Sequence, residues 1–243
     1  MLKHTLIATI LTSATLVSSG ASADWYFQPK IGYEFRSFEF ESGDLEGTAT
    51  IPGFILGFSV VNSSGFYFDF DFSGGEDEVS DFYPEDDYIE RFDLSLSAGY
   101  SLGSGYTIFG GFNETDTQIE NHKNQVNQPV DYQIISSGLF LGLAKTFTLD
   151  KTSSITTSIA AGKMSGEYES TDTALDPLDG EGESVGYSAS ASYTKRFDKI
   201  AVSAGVKTQS YTYSDMKTFA DGSDLPDASD KMTSFFVKTS YTF

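Results

Sequence analysis

The chain has 243 residues, of which 39% are hydrophobic and 15% aromatic, and its formal net charge is -20. The low hydrophobic fraction argues against a thick two-layer core, while 21 Phe and 14 Tyr exclude a disordered chain and 23 Gly argue against a mainly helical one. Because cysteine is absent, disulfides and thiolate metal sites are excluded. The negative charge argues against a nucleic-acid partner, since a phosphate binder needs a basic face. Composition therefore favours a β-protein that keeps its apolar side chains outside a conventional core.

Residues 1–23 have the pattern of a cleaved secretory signal peptide. Lys3 and His4 form a short positive start, residues 6–17 are mostly apolar, and Ala21-Ser22-Ala23 matches a small-x-small cleavage site. The apolar stretch is too short for a membrane-spanning helix, which needs roughly 20 residues. We therefore expect an exported chain whose mature form begins at residue 24.

From residue 24 onward, apolar and polar side chains alternate with a period of two, which is typical of β-strands. Ten such runs predict ten strands at about 25–41, 48–61, 66–73, 88–102, 106–115, 132–148, 154–168, 184–197, 200–213 and 232–243. Short turns alternate with long acidic loops, so the strands form an up-and-down meander with both termini on the short-turn side. Eight or twelve strands remain as alternatives, because the second run contains Pro52 and the seventh is polar.

The two faces of the predicted strands differ in chemistry, and this difference indicates their surroundings. One face is apolar and aromatic, whereas the other is rich in Gly, Ser, Thr and Asp. Small polar side chains cannot fill a hydrophobic interior, so we expect the apolar face to contact lipid and the polar face to line the lumen. An open edge in hydrocarbon would leave backbone groups unpaired. The predicted fold is therefore an all-β, transmembrane, antiparallel up-and-down β-barrel over residues 24–243.

The last predicted strand carries a resemblance to bacterial outer-membrane β-barrel proteins, which extends over residues 24–243. The terminal Phe243 shares one face with Tyr241, Val237 and Phe235, and this pattern resembles the assembly signal of that class. The resemblance implies a Gram-negative outer-membrane location, recognition by the outer-membrane assembly machinery, and contact with membrane lipid and lipopolysaccharide. It implies no activity and no cofactor.

Strand parity assigns a set of charged side chains to the lumen. These residues are Lys30, Glu34, Arg36, Asp69, Asp71, Arg91, Asp93, Lys207 and Lys238. Unpaired charges in a narrow lumen are costly, whereas four acids and five bases can pair across it. Because eight-stranded barrels are filled by their own side chains, ten strands predict a narrow or largely plugged lumen with room for a thin water-filled path.

Negative charge is concentrated in the long connections, on the presumed extracellular rim. Of the 35 Asp and Glu residues, 26 fall within residues 42–47, 74–90, 114–131, 167–184 and 214–231. The series Asp221, Asp224, Asp227 and Asp230 offers oxygen ligands that suit divalent cations, but no acidic cluster has the spacing of an EF-hand loop. We expect loosely bound divalent cations and no specific metal site, and we expect the rim to attract cations.

Enzyme chemistry has little support in the mature chain, which contains a single histidine, His122. The Asp69-x-Asp71 pair resembles the paired carboxylates of the omptin proteases. That family also needs an Asp-His pair on a later loop, and residues 167–184 contain no histidine. We predict that the protein is not an enzyme. Two functions stay open: a porin-like barrel that passes small cations or solutes, and a non-conducting structural or adhesin-like barrel acting through its acidic loops.

Overall fold

The computed structural model describes residues 24–42, 45–79, 87–121, 131–170 and 179–243. Their strands are β1 (Trp25–Ser42), β2 (Leu45–Asn62), β3 (Phe66–Val79), β4 (Asp87–Gly103), β5 (Tyr106–Asn121), β6 (Asp131–Thr148), β7 (Ser153–Ser170), β8 (Gly180–Phe197), β9 (Ile200–Thr218) and β10 (Ala228–Tyr241). The predicted signal peptide at 1–23 and His122 lie outside the described residues. Within them, no helix is long and apolar enough to cross a membrane.

The ten strands form one closed antiparallel barrel. Each strand pairs with its neighbours in sequence, and β1 pairs with β10 to close the sheet. At this seam Ile31 lies opposite Thr239 and Phe35 opposite Phe235. Closure gives every strand two hydrogen-bonded neighbours, which is what a sheet in hydrocarbon requires. The predicted ten-stranded up-and-down barrel is confirmed, and the eight- and twelve-stranded alternatives are wrong.

Tight turns connect the strands at the end of the barrel that also holds both termini. The β4–β5 turn has left-handed backbone at Gly103, Ser104 and Gly105, with φ values of 82°, 50° and 79°. Glycine adopts this conformation without steric cost, so the chain reverses within two residues. The short-turn end is therefore compact, and the long connections all lie at the opposite end.

The strands are longer at the loop end than the sequence pattern predicted. β3 continues to Val79, β5 to Asn121 and β9 to Thr218, which is six, six and five residues beyond the predicted ends. An 18-residue strand such as β1 spans roughly 60 Å, or about 45 Å of height at a typical tilt. The apolar band of such barrels is only about 25 Å tall, so these strands rise well above a membrane.

Large apolar side chains cover the outside of the half nearer the short turns. Leu139 is 70% exposed and Ile159 is 64% exposed. An apolar surface that surrounds the barrel in this way would be unfavourable in contact with water. Aromatic side chains at the short-turn rim are also exposed, among them Trp25, Phe147, Phe197, Tyr241 and Phe243. This outer surface fits a lipid-facing band that is bordered by an aromatic belt.

The faces of the strands exchange polarity above this band. On β1, Phe35 points outward, whereas Phe38 and Phe40 point inward and are buried; the outward positions between them are Ser37 and Glu39. Outside the membrane the outer face meets water, so the apolar side chains turn to the interior. The predicted placement of the polar face towards the lumen therefore applies beside the lipid-facing band, whereas at the loop end apolar side chains fill the interior.

Candidate functional site

The structure places all nine charged side chains that were assigned to the lumen on the inner face of the barrel. They come from β9, β10 and β1 on one side of β2, and from β3 and β4 on the other side. Together with Asp230, described below, they are called the lumen charge cluster. The inner faces of β6, β7 and β8 carry mainly Ser, Gly, Ala and Thr, so one half of the lumen wall is charged and the other is small and neutral.

Two arginines that are 0% exposed form the centre of the cluster. Arg36 Nη1 lies 3.3 Å from Asp93 Oδ2, and Arg91 Nη2 lies 3.4 Å from Asp93 Oδ1. Arg36 also donates through Nε to Glu34 Oε1 at 2.7 Å and through Nη1 to the Arg91 carbonyl oxygen at 3.1 Å. Buried charges persist only when they are paired and hydrogen-bonded in this way.

Asp230 belongs to this cluster and not to the acidic loop series in which the sequence placed it. Its Oδ2 lies 3.5 Å from Arg91 Nη1 and accepts a hydrogen bond from Tyr213 Oη at 2.9 Å. Asp230 is 4% exposed, whereas Asp221, Asp224 and Asp227 are exposed. The assignment failed because β10 begins at Ala228, four residues before the predicted strand. With Asp230, five carboxylates balance five cations.

The second part of the cluster lies nearer the short turns. Lys30 Nζ lies 2.8 Å from Asp69 Oδ2 and 2.7 Å from Asp71 Oδ1. Asp69 also accepts a hydrogen bond from the Ser59 hydroxyl, and Lys238 Nζ lies 3.8 Å from Asp71. The two carboxylates therefore share cationic partners and do not form a free acidic pair.

Above the charge cluster, inward apolar side chains pack into what we call the apolar layer. It comprises Phe38, Phe40, Ala49, Ile51, Ile89, Ile119, Ile134, Met164, Tyr211, Tyr213, Met216 and Met232. Arg91 joins the two parts, because its guanidinium carbon lies 5.2 Å from the centre of the Phe38 ring. The sequence contains a signal for this layer, namely the switch of apolar parity after Phe35, which the predictions did not use.

A cavity of about 150 Å³ lies in the lumen on the short-turn side of the apolar layer. Its lining includes Ser95, Ser97, Phe109, Asn113, Phe140, Ser158, Met164, Ser188, Ser190, Lys207, Gln209 and Tyr211. Tyr211 Oη accepts hydrogen bonds from Gln209 Nε2 at 2.8 Å and from Asn113 Nδ2 at 3.2 Å. These bonds fix the end of the cavity that faces the apolar layer.

The outer surface of the loop end carries exposed carboxylates and few exposed ion pairs. Lys163 lies 2.8 Å from Glu183, and Lys231 lies 3.3 Å from Glu39. In the described part of the chain, no three Asp, Glu or His side chains gather as metal ligands.

The β9–β10 connection shows how a loop carboxylate of this end is held. Asp221 accepts hydrogen bonds from Thr218 Oγ1 at 2.7 Å and from the Ser223 backbone N–H at 2.9 Å. These bonds favour the ionised form and lower the pKa of Asp221 from 3.8 to about 2.

Comparisons with known proteins support the fold and no finer assignment. No family model matches the chain, and no curated protein matches it in sequence. The outer-membrane protease OmpT of Escherichia coli has a similar structure, with a TM-score of 0.58 and 10% identity over 93% of this chain and 99% of OmpT. The translocator domain of the autotransporter NalP of Neisseria meningitidis gives a TM-score of 0.52 and 12% identity over 98% of this chain and 95% of that domain.

The chain thus has the fold of bacterial outer-membrane β-barrels. At this level of identity the similarity concerns architecture alone.

Proposed function

We propose that this protein is a non-conducting outer-membrane barrel that acts at the cell surface through its acidic outer end. The observation that carries the proposal is the complete burial of Arg36 and Arg91 beneath the buried side chains of the apolar layer. A porin keeps an open aqueous path past its charged residues, whereas here Arg36 and Arg91 are bound to buried carboxylates.

Burial of this kind opposes ion flow in two ways. An ion crossing the apolar layer would lose its hydration without gaining a polar partner. An ion entering the charge cluster would have to displace an existing pair such as Arg36 with Asp93. We therefore favour a structural or adhesin-like role over a pore.

The surface part of the proposal rests on the strand extensions and their charge. The strands carry exposed carboxylates, including Glu39, Glu167 and Glu181, above the apolar band. Such a rim attracts cationic groups over about a Debye length. The partners that we propose are basic protein surfaces and divalent cations, the latter bound loosely and shared with lipopolysaccharide phosphates.

A porin-like barrel with a narrow path is the second candidate, and one observation favours it. The lumen cavity is lined by serine hydroxyls and one lysine, so water can occupy the lumen up to the apolar layer. Rearrangement of that layer would then be needed for passage.

An enzyme finds less support, although OmpT, whose fold is similar, is a protease. In this chain Asp69 and Asp71 are bound to Lys30. They lie within a few residues of the short-turn end of β3, away from the end that faces the exterior. We propose that these two carboxylates form ion pairs in the lumen and have no catalytic role.

Single-channel recording separates the first two candidates. The refolded mature chain in a planar bilayer should give no discrete current steps, whereas a Tyr211→Ala/Tyr213→Ala variant should conduct because it opens the apolar layer. The variant controls for insertion and detection. Cation-selective steps from the unmodified protein would refute the proposal and support the porin-like candidate.

A further inference from the structure

Lys207 differs from the other four cations of the lumen charge cluster. Arg36, Arg91, Lys30 and Lys238 each lie within 4.0 Å of a carboxylate. For Lys207, the described residues provide neither a carboxylate within that distance nor a hydrogen-bond acceptor. Its side chain instead lines the lumen cavity, where no other lining residue carries a formal charge. The cavity therefore contains a cation that makes no direct ion pair or hydrogen bond with the described residues, although the carboxylates of Asp93, Glu34 and Asp71 lie near it.

A residue that lines the same cavity, Gln209, also carries an unsatisfied polar group. Gln209 is 5% exposed, and its Oε1 is buried without a hydrogen-bond partner, while its Nε2 donates to Tyr211 Oη. Leaving a buried acceptor unpaired is destabilising. An occupant of the cavity that donates a hydrogen bond would remove this cost.

The lumen between the cavity and the short turns is lined by partly exposed side chains. Along β9 the inward side chains Gln209, Tyr211 and Tyr213 are buried, whereas Lys207 and Ser203 are partly exposed. The inward residues below the cavity on β8 are Ser192 and Thr194, which are also partly exposed. We therefore expect a small solute to reach the cavity from this end of the lumen and to stop at the apolar layer.

We propose that the lumen cavity is a binding site for a small oxyanion, specifically hydrogen phosphate. Lys207 would contact an anionic oxygen, and the hydroxyls of Ser95 and Ser188 lie in the same lining as further donors. The P–OH group would donate to Gln209 Oε1, which a fully ionised sulfate cannot do. A volume of about 150 Å³ accommodates an ion of this size together with a few waters.

Calorimetric titration of the refolded mature barrel with inorganic phosphate at pH 7 tests the site. We expect saturable binding that is weakened at least tenfold by Lys207→Met. Lys195→Met is the matched control, because Lys195 lies at the short-turn rim and donates to Thr152 and Ser153; it should change the affinity less than twofold. Gln209→Leu should weaken phosphate binding and leave sulfate binding unchanged, and it provides the test if Lys207→Met does not give a folded barrel by circular dichroism.

Three results would overturn the proposal. The first is the absence of saturable phosphate binding to folded protein. The second is equal weakening by Lys207→Met and Lys195→Met, which would indicate general attraction by positive charge. The third is an unchanged ratio of phosphate to sulfate affinity in Gln209→Leu.

Discussion

Arg91 shows how individual residues stabilise the interior of this barrel. It is 0% exposed and lies near both Asp93 and Asp230. Removing one partner from a buried ion group leaves the others charged and desolvated, at a cost of about 3–5 kcal/mol. Arg91→Met should therefore lower the free energy of unfolding by that amount, as measured by urea unfolding in lipid vesicles.

Lys231 provides the matched control, because Lys231→Met also removes a cation from a cross-strand carboxylate. Its pair with Glu39 at 3.3 Å leaves both side chains more than half exposed. Exposed pairs of this kind contribute about 0–1 kcal/mol. Equal losses for the two variants would contradict the view that burial makes the lumen charge cluster stabilising.

Asp221 gives a residue-scale prediction about pH. Folding lowers the pKa of Asp221 from 3.8 to about 2. The stability that its ionised carboxylate gives to the turn is therefore complete above about pH 4 and is lost as the pH falls through 2. Thr218→Val removes the first of its hydrogen bonds and should return the pKa towards 3.8. Carboxyl chemical shifts recorded over this range by NMR measure both values, and identical titrations in the two proteins would contradict the assignment.

The inward charges could be predicted from sequence because a carboxylate or ammonium group stands out on an otherwise apolar, alternating strand. Lys30, Asp69 and Asp93 were found in this way. Their partners could not be predicted, since pairing depends on the register and curvature of strands that are distant in sequence. Arg91 and Asp230, for example, are 139 positions apart and meet only after the barrel closes.

At the scale of elements, the number of strands could be predicted from the sequence, but their lengths could not. Within the membrane, lipid and lumen differ sharply, so β1 alternates clearly from Ile31 to Phe35. Beyond it the outer face meets water and the inner face holds both apolar and polar side chains. The segments at the ends of β3 and β5 therefore lose their apolar alternation. The alternation of apolar and polar residues therefore ends at the edge of the lipid-facing band, whereas the hydrogen bonds between the strands continue beyond it.

Close approach between β4 and β5 requires a glycine at position 111. A Cβ there would meet the Leu96 carbonyl oxygen and lie 2.8 Å from Ser97 Cα. Gly111→Ala should thus separate the strands and reduce stability by about 1–3 kcal/mol in the same urea assay. Gly110→Ala is the control on the outer face, where the nearest atom is the Phe140 carbonyl oxygen at 3.0 Å and a smaller loss is expected. The reverse order of losses would contradict this packing.

The molecule as a whole is electrically polar along the barrel axis. Carboxylates are concentrated at the loop end, whereas Lys145, Lys151, Lys195 and Lys199 lie at or near the short turns. A field of this kind acts over a distance set by ionic strength, with a Debye length of about 30 Å at 0.01 M and about 8 Å at 0.15 M salt. Binding through the acidic end should therefore be strongly dependent on salt.

An oligo-lysine peptide and the barrel in nanodiscs allow this dependence to be measured at the level of the intact molecule. We expect binding to weaken at least tenfold between 0.01 M and 0.15 M salt, because screening removes most of the long-range attraction. Replacing Glu167, Glu169 and Glu181 by Gln should weaken binding at low salt. Replacing Asp24, Asp150 and Asp198 by Asn removes the same number of negative charges, but at the short-turn end. This variant should weaken peptide binding less than the Glu167, Glu169 and Glu181 variant does. Equal effects would show that net charge alone governs binding, and the acidic outer end would then lose its support as the interaction surface.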